Sequence, residues 1–149
     1  MEIIKNIFQT EGHISGLILR LTLGIVILPH GCQQLLGWFG GNGFTGTMRY
    51  YTETEKLPWL ISLLVILLQS AGALLILSGT GTRLMAFAFL VLFAGMIIQS
   101  HLQHGFFMNW SGKQQGEGYE YHILVIGLAL LLLIQGAGRY SIDRLIVRN

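Results

Sequence analysis

The densest group of side chains equipped for chemistry lies between two long apolar runs, over residues 104–122. His104, Phe106, Phe107, Asn109 and Trp110 come first, followed by Glu117, Tyr119, Glu120, Tyr121 and His122. Imidazole with carboxylate suits zinc, iron or copper, but such a site needs three or four ligands. His101 and His104 are three apart and share a helical face; with Glu120 they are the nearest approach to a ligand set. No ligand signature surrounds them, so no metal is expected. A second chemistry is a quinone-type redox ligand, which needs an apolar slot with a histidine or similar donor at a ring oxygen. Phe106, Phe107, Trp110 and Tyr119 beside His104 supply those materials. The third reading is that histidine, tryptophan and tyrosine rings simply occupy a membrane–water boundary, where amphipathic rings are favoured. The residue types alone leave these three readings open.

The surrounding chain decides what positions this segment. Of 149 residues, 52% are hydrophobic and only 11% charged, and the mean hydropathy is +0.61. Soluble domains carry about 25% charged residues, so the expected class is an all-α integral membrane protein. The length fits one domain. A net charge of +2 with no basic cluster excludes a nucleic-acid footprint. Cys32 is the only cysteine, which excludes disulfides within the chain, Cys-x-x-Cys dithiols and thiolate metal cages. The first residues lack a basic start and a small-residue cleavage site, so the first apolar segment is expected to stay attached. Ile3, Ile4, Ile7 and Phe8 have the spacing of a short interfacial helix or a frayed terminus.

Four spans are expected, at about 15–36, 59–77, 83–103 and 120–136. Pro29 should free the carbonyl of Ile25 in the first, and Pro58 suits the start of the second. Residues 37–56 read as a glycine- and aromatic-rich loop. That exceeds the ~12–15 residues of ordinary connections and suggests a binding loop or lid. It follows no strand and carries no Walker lysine, so it is not a phosphate loop. Ser141 is placed to cap a short terminal helix with Ile142, Leu145 and Ile146 towards the membrane. Four spans put both termini on one side with Lys5, Arg20, Arg83, Arg139, Arg144 and Arg148, against Arg49, Lys56 and Lys113 on the other. The positive-inside rule then places the termini in the cytoplasm and both long loops outside.

Polar groups within the spans should face the bundle. At about 100° per residue, Arg20, Gly24, Ile27, Gly31 and Gln34 share one stripe. Ser62, Gln69 and Ala73 share another, with Gly72 at its edge. Ala88, Gly95 and Gln99 form a third, and Glu120, Leu124, Gly127, Leu131 and Gln135 a fourth. Small residues interleaved with polar ones bring membrane helices close and bond them across the interface. The expected seam is therefore Arg20, Gln34, Gln69, Gln99 and Gln135. Its glutamines either join helices or line a ligand pocket. Arg20 is expected to snorkel to lipid phosphate. His101 and His104 are expected on the side of their helix away from Gly95 and Gln99.

These residues resemble the DoxX family of small bacterial four-span membrane proteins along nearly the whole chain, from Leu19 to Ile146. The resemblance rests on Leu19, Arg20, Leu21 and Gly24; on His30 and Gly31; and on the Gly37, Trp38, Phe39, Gly40, Gly41 and Gly43, Phe44 segments. It continues through Gly72, Ala73 and Leu74, Thr82 and Arg83, the Gly105-to-Trp110 loop and Gly116, Glu117, Gly118. It closes on Glu120, Tyr121, His122 and on the run from Gly136 to Arg144. It implies a multi-pass protein of the bacterial cytoplasmic membrane linked with redox systems, including a quinone-reducing thiosulfate oxidoreductase. The family usually has lysine at the position of Gln34 and glutamate at that of Gln69, which would leave Glu120 as the acid at a span boundary. By depth, Gln69 is expected near mid-bilayer and Gln34 near the outer edge, out of direct contact.

The functional expectation is a redox-associated inner-membrane protein with a quinone as its ligand. His30 and His104 would meet ring oxygens, Glu120 would exchange a proton, and Phe106, Phe107 and Trp110 would form the slot. The alternative is a non-catalytic membrane anchor or assembly subunit for a partner enzyme, and a less favoured one is a small-molecule or metal transporter. The expected partners are the lipid bilayer, a redox subunit and further copies of the chain, with no nucleic acid.

Overall fold

The protein is described here by a computed structural model covering residues 8–148; the interfacial segment expected at Ile3, Ile4 and Ile7 lies outside the described residues. Every regular element among those residues is helical. α1 spans Ile14–Leu36 and α2 Gly43–Arg49. α3 (Trp59–Ser78) and α4 (Thr82–His104) are, with α1, long and apolar enough to cross a membrane. α5 (Glu120–Gln135) is apolar but shorter, and α6 (Ile142–Arg148) closes the chain. α1, α3, α4 and α5 pack in a ring, each against the next, as an antiparallel four-helix bundle. One end carries the termini and the 79–81 turn (the terminal end); the other carries residues 37–58 and 105–119 (the loop end).

Local chemistry sets the boundaries. α1 stops where Gly37 turns left-handed at φ 74° and returns its N–H to the Cys32 carbonyl. Pro58 precedes α3 with φ −56°, a value its ring fixes in advance. Pro29 lies within α1 without ending it. Three glycines on one stripe of α1 let neighbours pack close: Gly16 meets the backbone of Gly138, Gly24 the side chain of Leu77, and Gly31 the backbone of Gln69 and Ser70. The core they permit holds Leu23, Ile27, Ala73, Ile76, Ala86, Phe89, Phe93, Val125, Ala129 and Leu132.

Two of the expected inward stripes are correct and two are not. Arg20, Gly24, Ile27 and Gly31 are buried, as are Ser62, Gln69, Gly72 and Ala73. On α4, however, Ala86, Phe89 and Phe93 face inward, and Gly95 and Gln99 are exposed. On α5, His122, Val125, Ala129 and Leu132 face inward, and Leu124 and Leu131 are exposed. These two helices are apolar all round, so small residues do not mark the buried side; the phenylalanines of α4 fill the core and claim it.

Arg20 does not snorkel. It is fully buried, and its guanidinium donates to five carbonyl oxygens. Nε reaches Ala137 at 2.7 Å, Nη1 reaches Leu77 at 2.6 Å and Ile76 at 3.5 Å, and Nη2 reaches Arg139 at 3.0 Å and Tyr140 at 3.1 Å. The final carbonyls of α3 have no partner within their own helix, and a cation there also meets the negative end of the helix dipole. Tyr140 sits at φ 53°, rare for a residue with a Cβ, and that conformation offers its carbonyl to Arg20. Next to this cage Asp143 accepts from the N–H groups of Gly81 at 2.6 Å and Thr82 at 2.8 Å, capping α4. The expected Ser141 cap is present: its hydroxyl accepts from Arg144 N–H at 3.3 Å and donates to Gly138.

Replacing Arg20 with leucine or lysine should destabilise the bundle by about 3 kcal/mol, because buried carbonyls lose their charged partner and a lysine cannot fork among them. Asp143→Asn should cost less, about 1 kcal/mol, as a weakened cap. Unfolding of the detergent-solubilised variants by heat or by denaturing detergent checks both.

Candidate functional site

A cleft of about 1080 Å³ runs along α4 on the side facing α3. Its walls are hydrocarbon: Leu64, Val65 and Leu68 from α3, and Leu84, Phe87 and Val91 from α4. Towards the loop end the lining becomes polar, with Tyr51, Glu55, Gln99, Ser100, His101 and His104. The cleft is thus graded from apolar to hydrogen-bonding along its length.

Backbone irregularities put those polar groups there. α3 widens to i→i+5 bonding over Leu68–Gly72, and α4 does the same over Ile97–His101 before tightening over Leu102–His104. Such insertions rotate every residue beyond them and recur at functional sites. They are why His101 and His104 share the cleft with Gly95 and Gln99 rather than facing away from them, as regular helix spacing predicts.

Residues 37–56 are mostly helical rather than a structureless loop: a short turn at Trp38–Gly40, α2, and a wide turn at Tyr50–Thr54. Thr47 and Met48 are buried, which anchors this segment. Its far end supplies Glu55, whose carboxylate accepts from the Tyr50 hydroxyl and the Ser100 hydroxyl, each at 2.7 Å. The Glu55 carbonyl accepts from Gln99 Nε2 at 3.0 Å. Glu55 and Glu117 are the acids that line the cleft, and the expected Glu120 does not. Burial pushes the Tyr51 phenol up to about 12, and the nearby Tyr50 and Glu55 add to that.

His101 has a defined tautomer. Its Nδ1 lies 2.8 Å from the Glu117 carbonyl, and a carbonyl only accepts, so Nδ1 carries the proton and neutral Nε2 is an acceptor. An imidazole held this way can accept from a hydroxyl, or donate to a carbonyl once protonated. The arrangement suits an amphiphile with an apolar body and an oxygen-bearing head.

The expected site residues are divided among three places. His104 lines the cleft and packs on Gly116. Phe106, Phe107 and Trp110 belong to the loop and Glu120 opens α5; Phe106 lies edge-on to Phe107 at 5.2 Å and to Tyr119 at 5.6 Å. Trp110 Nε1 donates to Glu120 at 3.1 Å, and its ring is 87% exposed. None of these four lines the cleft. His30 sits apart on α1, exposed, with its ring 6.4 Å from Tyr121. Of the seam, Gln135 accepts from Ser15 at 2.9 Å and joins α5 to α1. Gln34 and Gln69 are closer in depth than their sequence positions suggest, since Gly31, one turn from Gln34, abuts Gln69. Among the described residues no three histidine, cysteine, aspartate or glutamate side chains gather as metal ligands. Sequence reasoning missed Tyr51, Glu55 and Ser100; the one signal for them was the length of the 37–56 segment.

The DoxX family model matches residues 15–102, from the start of α1 to near the end of α4. The inner membrane protein YqjF of Escherichia coli (strain K12) is 34% identical over 134 residues, covering 89% of this chain and 92% of that protein. The inner membrane protein YphA of the same organism is 25% identical over 132 residues, covering 86% and 87%. No solved structure matches the chain.

Ultraviolet titration should find a tyrosine ionising near pH 12 and lose that step in Tyr51→Phe. Between the ordinary tyrosine value of 10.0 and about 12 the unfolded chain has released a proton that the folded chain retains. Stability should therefore fall as pH rises through that window, and fall less in the variant.

Proposed function

The chain belongs to the DoxX family of bacterial inner-membrane proteins, and from that premise we propose that it is a redox-associated membrane component that binds a quinone-type ring in the cleft between α3 and α4. The observation that carries this reading is the gradient along the cleft: hydrocarbon walls leading to His101, His104, Gln99 and the Glu55 cluster. A quinone is a flat apolar ring with carbonyl acceptors that become hydroxyl donors on reduction. The bare Nε2 of His101 suits the hydroxyl form and its protonated state the carbonyl form. His104 stands one turn further towards the loop end as the second polar contact. The pair Trp110–Glu120 and the rings of Phe106 and Phe107 then act as the boundary cap of the loop.

A second reading, a non-catalytic anchor for a partner enzyme, draws on the loop-end aromatics. Phe107 is 67% exposed, Phe39 70% and Trp110 87%, and such rings serve equally at a lipid boundary or under a docked subunit. Stoichiometric co-purification of a soluble enzyme that is lost on Trp110→Ala would favour it.

The proposed orientation puts the termini in the cytoplasm. Arg20, consumed inside the bundle, drops out of the charge comparison, leaving Lys5, Arg83, Arg139, Arg144 and Arg148 against Arg49, Lys56 and Lys113. A fluorescent protein fused at the C-terminus should glow, and a periplasm-dependent phosphatase fused there should be inactive; the reverse pattern contradicts the orientation.

Titrating the protein in lipid nanodiscs with a short-chain benzoquinone should quench tryptophan fluorescence saturably. His101→Ala should weaken binding about tenfold, the loss of one well-placed hydrogen bond to a charged or buried group. Quenching that rises linearly without saturation, and equally in the variant, would be mere partitioning into lipid and would end this reading.

A further inference from the structure

The bundle core changes character along its length. Beyond the Arg20 cage it is hydrocarbon, built from Leu23, Ile76, Ala86, Phe89, Ala129 and Leu132. Five buried polar atoms have no hydrogen-bond partner among the described residues: Thr82 Oγ1 lies apart at the start of α4, and the other four, Gln34 Oε1, Gln69 Nε2, Tyr121 Oη and His122 Nδ1, lie towards the loop end. Gln69 and His122 are each only 3% exposed. A buried donor or acceptor without a partner is costly, so nearly all in native proteins are satisfied.

Packing places these groups in one layer. Gly31 abuts the Gln69 backbone, and its neighbour His30 has its ring 6.4 Å from Tyr121. Phe93 touches both α5 residues, with ring centroids 6.2 Å from Tyr121 and 5.6 Å from His122. α1, α3, α4 and α5 thus meet at this depth, and α3 widens there over Leu68–Gly72. The set mixes an amide acceptor, an amide donor, a hydroxyl and an imidazole nitrogen, with no formal charge. A cation would face the Gln69 amide hydrogens and an anion the Gln34 oxygen, so neither is matched. A molecule that both donates and accepts is matched to all four.

We propose that this layer is a buried water-binding site, and that its waters link the cleft to the interior of the bundle. The link runs through His122, whose ring lies 4.0 Å from that of His101, a lining residue of the cleft. From His122 it continues to Tyr121, 5.5 Å away, and on towards His30. Waters bonded to the free polar atoms at the edges of these rings give a hydrogen-bonded path, and a proton released by His101 can pass along it to the imidazole of His30, each group on the way accepting one proton and releasing one. The water site stands on the layer itself and does not depend on what occupies the cleft.

Radiolytic footprinting on the intact protein in nanodiscs tests it, because brief X-ray exposure turns bound water into hydroxyl radicals that oxidise adjacent side chains. His122 and Tyr121 should be oxidised, and Phe89, fully buried in the hydrocarbon core, should not. In Gln69→Leu and in Gln34→Leu the oxidation of His122 should be lost while exposed Phe107 is oxidised as before. Oxidation of His122 no greater than that of Phe89 overturns the proposal. So does oxidation that persists unchanged in both leucine variants. Because no quinone is present, either failure leaves the reading of the cleft to be judged by its own titration.

Discussion

Five carbonyl oxygens close around the buried Arg20 guanidinium and tie α1 to the end of α3 and to the turn after α5. A cation inside a membrane bundle is expensive unless its donors are satisfied, and here the partners are neutral carbonyls from two distant stretches of chain, the end of α3 and the turn after α5. One side chain of α1 therefore fixes where α3 ends and how the chain leaves α5. The adjoining Asp143 cap fixes where α4 begins. The segment before α1 is drawn into the same knot: Arg139 Nε donates to the Gly12 carbonyl at 3.0 Å and Thr10 accepts from Gly138 N–H at 2.6 Å. The terminal end is locked by directional bonds.

The loop end follows a different logic. Its helices widen and tighten over short stretches, its core turns polar, and α3 and α4 leave the cleft along the face they share. A locked end and a more irregular end are compatible with the proposed entry of a ligand sideways from lipid. Glu55 joins the preceding helical segment to α4 through the Ser100 hydroxyl and the Gln99 amide, while the Tyr50 hydroxyl bonds its carboxylate from within that segment.

Much of the fold was legible in the sequence because hydropathy and end signals act locally. Pro58, Gly37 and the Gly79–Gly81 turn mark helix boundaries whatever surrounds them, and Ser141 capped α6 as its position predicts. The stripes of α1 and α3 were legible too, since Gly16, Gly24 and Gly31 have a packing role. Those of α4 and α5 were not: hydrocarbon on every face removes the contrast that periodicity reads, and a wide turn shifts the register of His101 and His104 by an amount no 100° rule supplies. Arg20 was misread for a related reason. Its position within a span suggests lipid phosphate, and only the tertiary fold reveals carbonyls converging on it. Of the candidate site, His104, His101 and Gln99 were visible as residues; Tyr51, Glu55 and Ser100 were not, because nothing local says that the 37–56 segment folds back onto α4.

Photo-crosslinking with an azido-substituted quinone in nanodiscs probes the proposed binding of a lipophilic, oxygen-bearing ligand in the α3–α4 cleft. Peptide mapping should place the adducts on cleft residues of α3 and α4 such as Leu68, Val91, His101 and His104, with competition by unlabelled quinone. Adducts scattered over outward-facing residues such as Ile25 on α1 and Leu124 on α5, insensitive to competitor, would contradict it.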